Sequence, residues 1–172
     1  LFALLLIGLV LPYESIVISL YYTMKSYNLT NTYWALILPQ IGLSIPFSIF
    51  WLRASFKAIP ISLSEAAMIE GAGRLTILTK ILMPQMIPAI LTLTVLLFMW
   101  TWNEFLLALI MIQDADMRTA PLALSYFAGN KRYGDPAITA AAAIWVALPV
   151  LIMYIFLQRR FISGMVTGAV KE

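Results

Sequence analysis

Four apolar stretches constrain the fold of this 172-residue chain more than any other feature of its sequence. Crossing the hydrocarbon core of a bilayer takes about 20 mostly apolar residues in a helix. The stretches that meet this length cover residues 1–22, 34–52, 87–112 and 138–157. Prolines inside the first two stretches argue against strands, and membrane helices tolerate them as kinks because neighbouring groups satisfy the freed carbonyls. The sequence therefore predicts an all-α, polytopic membrane helical bundle with four spans.

Composition also indicates that lipid is the solvent of this chain. Hydrophobic residues make up 62% of it and charged residues 11%, whereas soluble domains contain about 45–50% apolar and about 25% charged residues. The chain has no cysteine and no histidine, which excludes disulfides, thiol nucleophiles and a histidine acting as general base or metal ligand. We therefore expect a membrane protein that is not an enzyme, with no metal or cofactor bound to this chain.

The distribution of basic residues predicts the orientation in the membrane. Four spans place residues 53–86 and the tail after Leu157 on one side, and residues 22–33 and 113–137 on the other. The first side carries seven of the eleven Lys and Arg residues, namely Arg53, Lys57, Arg74, Lys80, Arg159, Arg160 and Lys171. Because Lys and Arg are enriched in cytoplasmic loops, we expect residues 53–86 and the C-terminus to lie in the cytoplasm.

The pattern of residues 60–84 predicts a helical hairpin at the membrane surface. Ser62 and Glu65 have the spacing of a capping box, which is typical of a helix N-terminus. Gly71 lies in a Gly-Ala-Gly turn that breaks this first helix, since glycine reaches backbone angles that other residues avoid. A second short helix is expected from Arg74, and Pro84 is expected to end it before the third span.

The same hairpin carries a recognisable motif. The sequence EAA at residues 65–67 is followed after three residues by Gly71 and, after nine more, by ILMP at residues 81–84. This pattern resembles the EAA loop of bacterial ABC-importer permeases, in which EAA, three residues, G and nine residues precede I-x-L-P. The sequence departs from that pattern once, with Met83 in place of leucine.

The rest of the chain is similar to the carbohydrate-uptake branch of these permeases, of maltose and glycerol-phosphate type. The similar stretches are LPYE at residues 11–14, LTNTYWALILP at residues 29–39, WNEF at residues 102–105 and GMVTGAVK at residues 164–171. Since that family has about six spans in each subunit, the resemblance implies that about two spans precede Leu1. The chain is then the C-terminal part of one transmembrane domain, and its substrate is a sugar or a related polyol compound.

The resemblance also implies partners for the hairpin. In that family the hairpin couples to a cytoplasmic ATP-binding subunit, where Glu65 would face an arginine. Ala66 and Ala67 fit close helix approach, and Gly71 fits the tight turn. Such an importer lies in the bacterial inner membrane and contains two ATP-binding subunits, which hold ATP and Mg. It also contains a second permease subunit, identical or paralogous, and works with an extracytoplasmic solute-binding protein. It binds no nucleic acid. The alternative for Glu65 is that it only closes the capping box with Ser62.

Polar residues in the third span are candidates for the transport path. At helical spacing, Trp100, Asn103, Glu104, Leu107 and Met111 share a face. An ionisable group at bilayer depth is expensive, so it is a site hypothesis by default. A sugar ring packs against an aromatic side chain while polar groups bind its hydroxyls, so Trp100, Asn103 and Glu104 are predicted to line a sugar path. The alternative is that Asn103 and Glu104 hydrogen-bond a neighbouring span and only fix its packing.

Two further alternatives concern the whole chain and its outer segment. An ion-coupled secondary transporter would use Glu14 and Glu104, and inverted repeats would support it, but the sequence shows no internal repeat. The polar segment 113–137 faces the solute-binding protein if the resemblance holds, or is a solvated connector.

No phosphate-binding loop is present in the sequence, so the energy of an ABC importer must come from ATP bound to separate subunits.

Overall fold

A computed structural model describes residues 2–129 and 135–169 of the chain, and throughout these residues it forms helices and no strand. The helices are α1 (Phe2–Val10), α2 (Tyr13–Ser26), α3 (Trp34–Ala58), α4 (Ile61–Ile69), α5 (Arg74–Thr76), a π-helical segment (Ile77–Leu82), α6 (Met83–Trp102), α7 (Leu106–Met111), a 3-10 turn (Ala115–Met117), α8 (Ala120–Gly129) and α9 (Pro136–Ala169). The predicted all-α membrane bundle is confirmed.

Three of the described helical stretches are long and apolar enough to cross a membrane. They are Trp34–Ala58, Arg74–Trp102 and Pro136–Phe156, and they coincide with the second, third and fourth predicted spans. Helix α3 keeps both Pro39 and Pro46 inside one continuous helix, as expected for a membrane helix in which neighbouring groups compensate for the missing N–H.

The first predicted span, residues 1–22, is not one kinked helix but two short helices. Helix α1 ends at Val10, and α2 begins at Tyr13 after Pro12, whose backbone is extended (φ −61°, ψ 124°). Proline has no N–H to donate and disfavours a helical conformation in the residue before it. The Pro12 carbonyl instead accepts hydrogen bonds from the N–H (3.0 Å) and the hydroxyl (2.6 Å) of Ser15, which start the new helix.

The second arm of the hairpin does not end before the third span. The helix from Arg74 to Trp102 is continuous, and the expected stop at Pro84 is wrong. Its π-helical segment lies just before that proline, and the Met83 N–H donates to the carbonyl of Leu78, five residues earlier. The wider π turn makes room for a proline ring that would clash with the preceding turn of an α-helix. Hairpin arm and membrane helix are therefore one rod.

The third predicted span, residues 87–112, ends earlier than expected. Helix α6 stops at Trp102, and α7 starts at Leu106 after a three-residue linker. The prediction of one helix through Ile112 is therefore wrong. The side chains that cause this break also build the site described below.

The best-buried core lies where α7 packs against α2, α3 and α8. Its members are Val17, Met24, Ala35, Leu36, Leu107, Ala108, Met111, Ile112 and Leu122. The short helix α7 contributes side chains that are fully buried, so it is fixed in place despite its length. In contrast, the membrane-length part of α9 buries none of its residues inside the chain.

Two indole groups hold the long helices together. The Trp51 indole N–H of α3 donates to the Ala89 carbonyl of α6 at 2.9 Å, and the Trp102 indole N–H of α6 donates to the Val146 carbonyl of α9 at 2.9 Å. Since an apolar medium offers no competing water, such bonds are favoured between membrane helices. Helix α6 is thereby bonded to both of the other long helices.

Candidate functional site

The turn of the hairpin is built as the sequence predicts. Helix α4 ends before Gly71, whose φ of +82° lies in the left-handed region that favours glycine. The Gly71 N–H donates to the Met68 carbonyl at 3.0 Å, and the Ala72 N–H donates to the Ala67 carbonyl at 2.9 Å. These two bonds close the end of the helix in the manner of a C-terminal glycine cap. The predicted glycine turn is confirmed.

The predicted capping box is not formed. Helix α4 begins at Ile61 with Pro60 as its N-cap, and no side chain caps it. A cap at Ser62 would start the helix two residues later than the structure does. Pro60 provides a φ of −59°, which is already suited to a helix start. Glu65 is therefore exposed on the helix surface rather than used as a capping partner.

The hairpin presents exposed apolar side chains on both of its arms. Ile69 is 88% exposed and Leu75 is 74% exposed, while Ala67 is buried. Glu65 and Ala66 lie on the exposed surface of the same helix. Exposed apolar side chains on the two arms are candidates for an interaction surface. The hairpin therefore combines a rigid turn, an apolar surface and an exposed carboxylate.

A cavity of about 340 Å³ lies at the two helix breaks. Its wall consists of Gly8, Leu9, Leu11, Tyr13, Gln40, Leu43, Ser44, Trp100, Thr101 and Glu104. The residues come from α1, the start of α2, α3 and the end of α6, and from the linkers that follow α1 (Leu11) and α6 (Glu104). The wall thus combines one indole, one carboxylate, one amide and three hydroxyl groups with apolar side chains, a set that suits a ligand with a ring and several hydroxyls.

Glu104 is the most connected polar side chain of this wall. Its Oε1 accepts hydrogen bonds from the Tyr13 hydroxyl at 3.0 Å and from the Leu107 N–H at 2.8 Å, and its Oε2 accepts one from the Ala108 N–H at 3.1 Å. The two N–H groups belong to the first turn of α7, where helix donors lack backbone partners. Glu104 therefore starts α7 and also binds α2, as the packing alternative expected.

Asn103 and Glu104 do not share a face with Leu107 and Met111, because the helix is interrupted between them. The exposed Asn103 donates its side-chain N–H to the carbonyl of Met99 at 2.7 Å and is not part of the cavity wall. A side chain that bonds its own backbone in this way competes with continuation of the helix. The structure brings Trp100 and Glu104 together and leaves Asn103 outside.

Several wall residues were missed by the sequence reasoning. Tyr13 is in the LPYE stretch and Gln40 is a polar residue within an apolar span, and the second feature alone was a usable signal. Ser44 and Thr101 could not be recognised as wall residues from the sequence, because hydroxyl side chains are common in membrane helices. Glu14 is exposed on α2 and is not part of the wall, so the described cavity does not pair it with Glu104.

The described part of the predicted outer segment 113–137 contains helical structure. It contains the 3-10 turn and α8, and the Arg118 guanidinium lies 3.7 Å from the ring centre of Tyr126. Asn31, from the loop before α3, accepts the N–H groups of Gln113 (3.0 Å) and Asp114 (2.9 Å) on its side-chain oxygen. Lys131 and Arg132 of this segment lie outside the described residues.

Within residues 2–129 and 135–169, no three His, Cys, Asp or Glu side chains lie together in a way that could hold a metal ion. The cavity offers hydrogen-bonding groups and an aromatic surface rather than a set of metal ligands. What the wall can do is bind a polar, uncharged molecule.

Comparison with known proteins decides the family. Residues 1–166 match the model of the binding-protein-dependent transport system inner membrane component. The chain belongs to this family. The resemblance read from the EAA motif is thereby confirmed, and this transport component is an inner membrane protein.

Relatives of this inner membrane component are named for carbohydrate transport. The chain is 35% identical to the trehalose transport system permease protein of Mycobacterium tuberculosis, over 93% of the chain and 59% of that protein. It is 35% identical to the sulfoquinovosyl glycerol permease protein of Agrobacterium fabrum (93% and 56%) and 33% identical to the diacetylchitobiose permease protein of Streptomyces coelicolor (93% and 58%). The chain spans between 54% and 70% of the length of the curated relatives it matches.

Proposed function

We propose that this chain is the C-terminal part of the transmembrane permease subunit of an ATP-binding-cassette importer, which carries a sugar or a related polyol compound across the bacterial inner membrane. The observation that carries the proposal is the Arg74–Trp102 rod. One end of it belongs to a hairpin with an exposed apolar surface, and the other end forms part of the cavity wall. The names of the relatives support the substrate class.

The hairpin is the proposed docking element for a cytoplasmic ATP-binding subunit. Glu65 supplies an exposed carboxylate for a basic partner residue, and Ala66 allows a close approach, while Ala67 is buried within the chain. The exposed apolar side chains of the hairpin become buried on contact. Gly71 keeps the two arms in one arrangement, so a displacement of the hairpin moves α6 with it. The chain itself performs no chemistry, since ATP and Mg are held by two ATP-binding subunits.

We propose that the cavity forms part of the sugar path. The Trp100 indole can pack against a sugar ring, and Glu104 can accept hydrogen bonds from hydroxyl groups. Trp100 is held by Phe47, with ring centres 4.7 Å apart. Asn103 is at the adjoining helix end. A second permease subunit, identical or paralogous, would close the path, and an extracytoplasmic solute-binding protein would deliver the sugar.

Association with the ATP-binding subunit tests the proposal. Glu65→Ala should weaken co-purification of the full-length permease with that subunit, because truncating one partner of a charge pair at a subunit contact costs about 2–5 kcal/mol. Glu70→Ala is the matched control, since Glu70 is an exposed glutamate at the end of the same helix. Equal co-purification of both variants with the ATP-binding subunit would argue against docking through Glu65.

Uptake by proteoliposomes separates the two classes of transporter. The complete complex should accumulate at least one of the uncharged sugars trehalose and maltose only when ATP is supplied. Accumulation driven by a proton or sodium gradient without ATP would instead support the ion-coupled alternative, which uses Glu14 and Glu104.

A further inference from the structure

We propose that Tyr13 is a positioning residue of the transport path, which holds the Glu104 carboxylate on the cavity wall and fastens the two helix breaks to each other. This inference rests on the proposed function. Its basis is one hydrogen bond, from the Tyr13 hydroxyl to Glu104 Oε1 at 3.0 Å, between residues 91 positions apart in the chain.

The bond joins the two places where the membrane-spanning pattern is interrupted. Tyr13 is the first residue of α2, immediately after the break at Pro12. Glu104 is in the linker between α6 and α7. Both side chains are half-buried and both belong to the cavity wall. The relative position of the two breaks therefore affects the width of the cavity.

The remaining wall is fixed by other contacts. Gly8 of α1 approaches α3 so closely that an added Cβ would lie 3.0 Å from a Pro46 ring carbon. Trp100 of α6 packs on Phe47 of the same helix α3. Helices α1 and α6 are thus both anchored on α3, and the Tyr13–Glu104 bond joins the break after α1 to the break after α6.

Glu104 accepts two backbone hydrogen bonds besides the one from Tyr13, which makes the role of Tyr13 separable from folding. Without the Tyr13 hydroxyl, the carboxylate still accepts the N–H groups of Leu107 and Ala108 and still starts α7. Those two residues are fully buried, so α7 keeps its place. Tyr13→Phe should therefore leave the fold intact and release only the connection between Glu104 and α2. A hydrogen bond to a charged group is among the strong ones.

Cysteine labelling tests the geometry without any substrate. The chain has no native cysteine, so Thr101→Cys on the cavity wall reports on access to a small methanethiosulfonate reagent in the full-length permease with its partner subunits. Adding Tyr13→Phe should change the labelling rate about tenfold, as expected for the loss of a charged hydrogen bond. The control is Tyr22→Phe, the same change on an exposed tyrosine of α2, which should leave the rate unchanged.

Uptake kinetics then test the positioning role. Tyr13→Phe should raise KM for the transported sugar about tenfold with normal membrane abundance, and it should raise KM less in the Glu104→Gln background, where the hydroxyl bonds a neutral amide instead of a carboxylate. A raised KM with unchanged labelling would show that Tyr13 binds sugar directly and would overturn the inference. Unchanged KM and labelling would overturn it as well.

The labelling arm distinguishes this inference from the proposed function. If Tyr13→Phe changes the labelling rate while the wild-type complex transports none of the sugars, the Tyr13–Glu104 connection stands and the proposed function fails. If Tyr22→Phe changes labelling as much as Tyr13→Phe, the effect belongs to α2 in general and the inference fails.

Discussion

The two ends of the Arg74–Trp102 helix respond in opposite ways to helix-disfavouring residues. At the hairpin end the helix passes Pro84 without a break, with a π-helical segment before it. At the cavity end there is no proline, yet the helix stops, and the Glu104 carboxylate accepts the N–H groups that start the next helix. Proline is thus neither necessary nor sufficient to end a membrane helix here.

The difference between the two ends is consistent with two roles for the Arg74–Trp102 helix. A helix that continues through the hairpin end can transmit a displacement along its axis without loss. A helix that stops at the cavity end places the Glu104 carboxylate on the cavity wall, where it also accepts the first N–H groups of α7. Four changes in the sequence can break or sharpen this contrast.

The largest effect is expected from Glu104→Ala at the cavity end. It leaves the buried N–H groups of Leu107 and Ala108 without acceptors, and each unsatisfied buried group costs about 1–3 kcal/mol. We expect a lower melting temperature of the detergent-solubilised complex and lower membrane abundance. Glu104→Gln keeps one acceptor oxygen and should assemble normally but with altered uptake. If the two variants melt alike at the wild-type temperature, Glu104 does not hold α7.

Gly71→Val should have the next largest effect, at the hairpin end. A β-branched residue at a φ of +82° costs about 1–3 kcal/mol of backbone strain. The turn should open, and co-purification with the ATP-binding subunit should fall. Gly73→Val is a close control, because Gly73 has a φ of −70° and open space at its Cβ position. Equal losses in both variants would mean that the turn conformation of Gly71 is not what matters.

A smaller effect is expected from Pro84→Ala. It restores an N–H and allows the π-helical segment to relax toward an α-helix, but the buried Ile77 opposes the rotation of roughly 100° that one residue of register requires. We expect normal assembly and a modest rise in ATP hydrolysed per sugar transported. An unchanged ratio would mean that packing around Ile77, not the proline, maintains the π turn.

The smallest effect is expected from single cysteine substitutions, which test the orientation of the chain in the membrane. Single cysteines at the exposed positions Ser62 and Asp116 should differ in intact cells: an impermeant thiol reagent should label Asp116→Cys and spare Ser62→Cys. A membrane-permeant thiol reagent should label both cysteines, and it therefore controls for their reactivity. External labelling at Ser62→Cys would reverse the orientation inferred from the basic residues.

Local signals predicted the parts of the fold that depend on neighbours in sequence. Hydrophobic length predicted the long helices, and Gly71 marked the hairpin turn, because both depend on a few adjacent residues. The capping box failed since Pro60 starts the helix first. The cavity could not be derived, because it depends on contacts between Tyr13 and Glu104 far apart in the chain. The break at Asn103 was hidden in an apolar run whose hydropathy looks continuous.

The indole bonds of Trp51 and Trp102 have a consequence for the timing of synthesis. Each donor precedes its carbonyl acceptor in the chain, by 38 residues for Trp51 and by 44 for Trp102. At about 5–20 residues per second, a ribosome needs roughly 2–9 s to make such a length. During that interval the carbonyl that accepts the indole N–H has not yet been synthesised. The α3–α6 bond can therefore form before the acceptor of the α6–α9 bond has been synthesised.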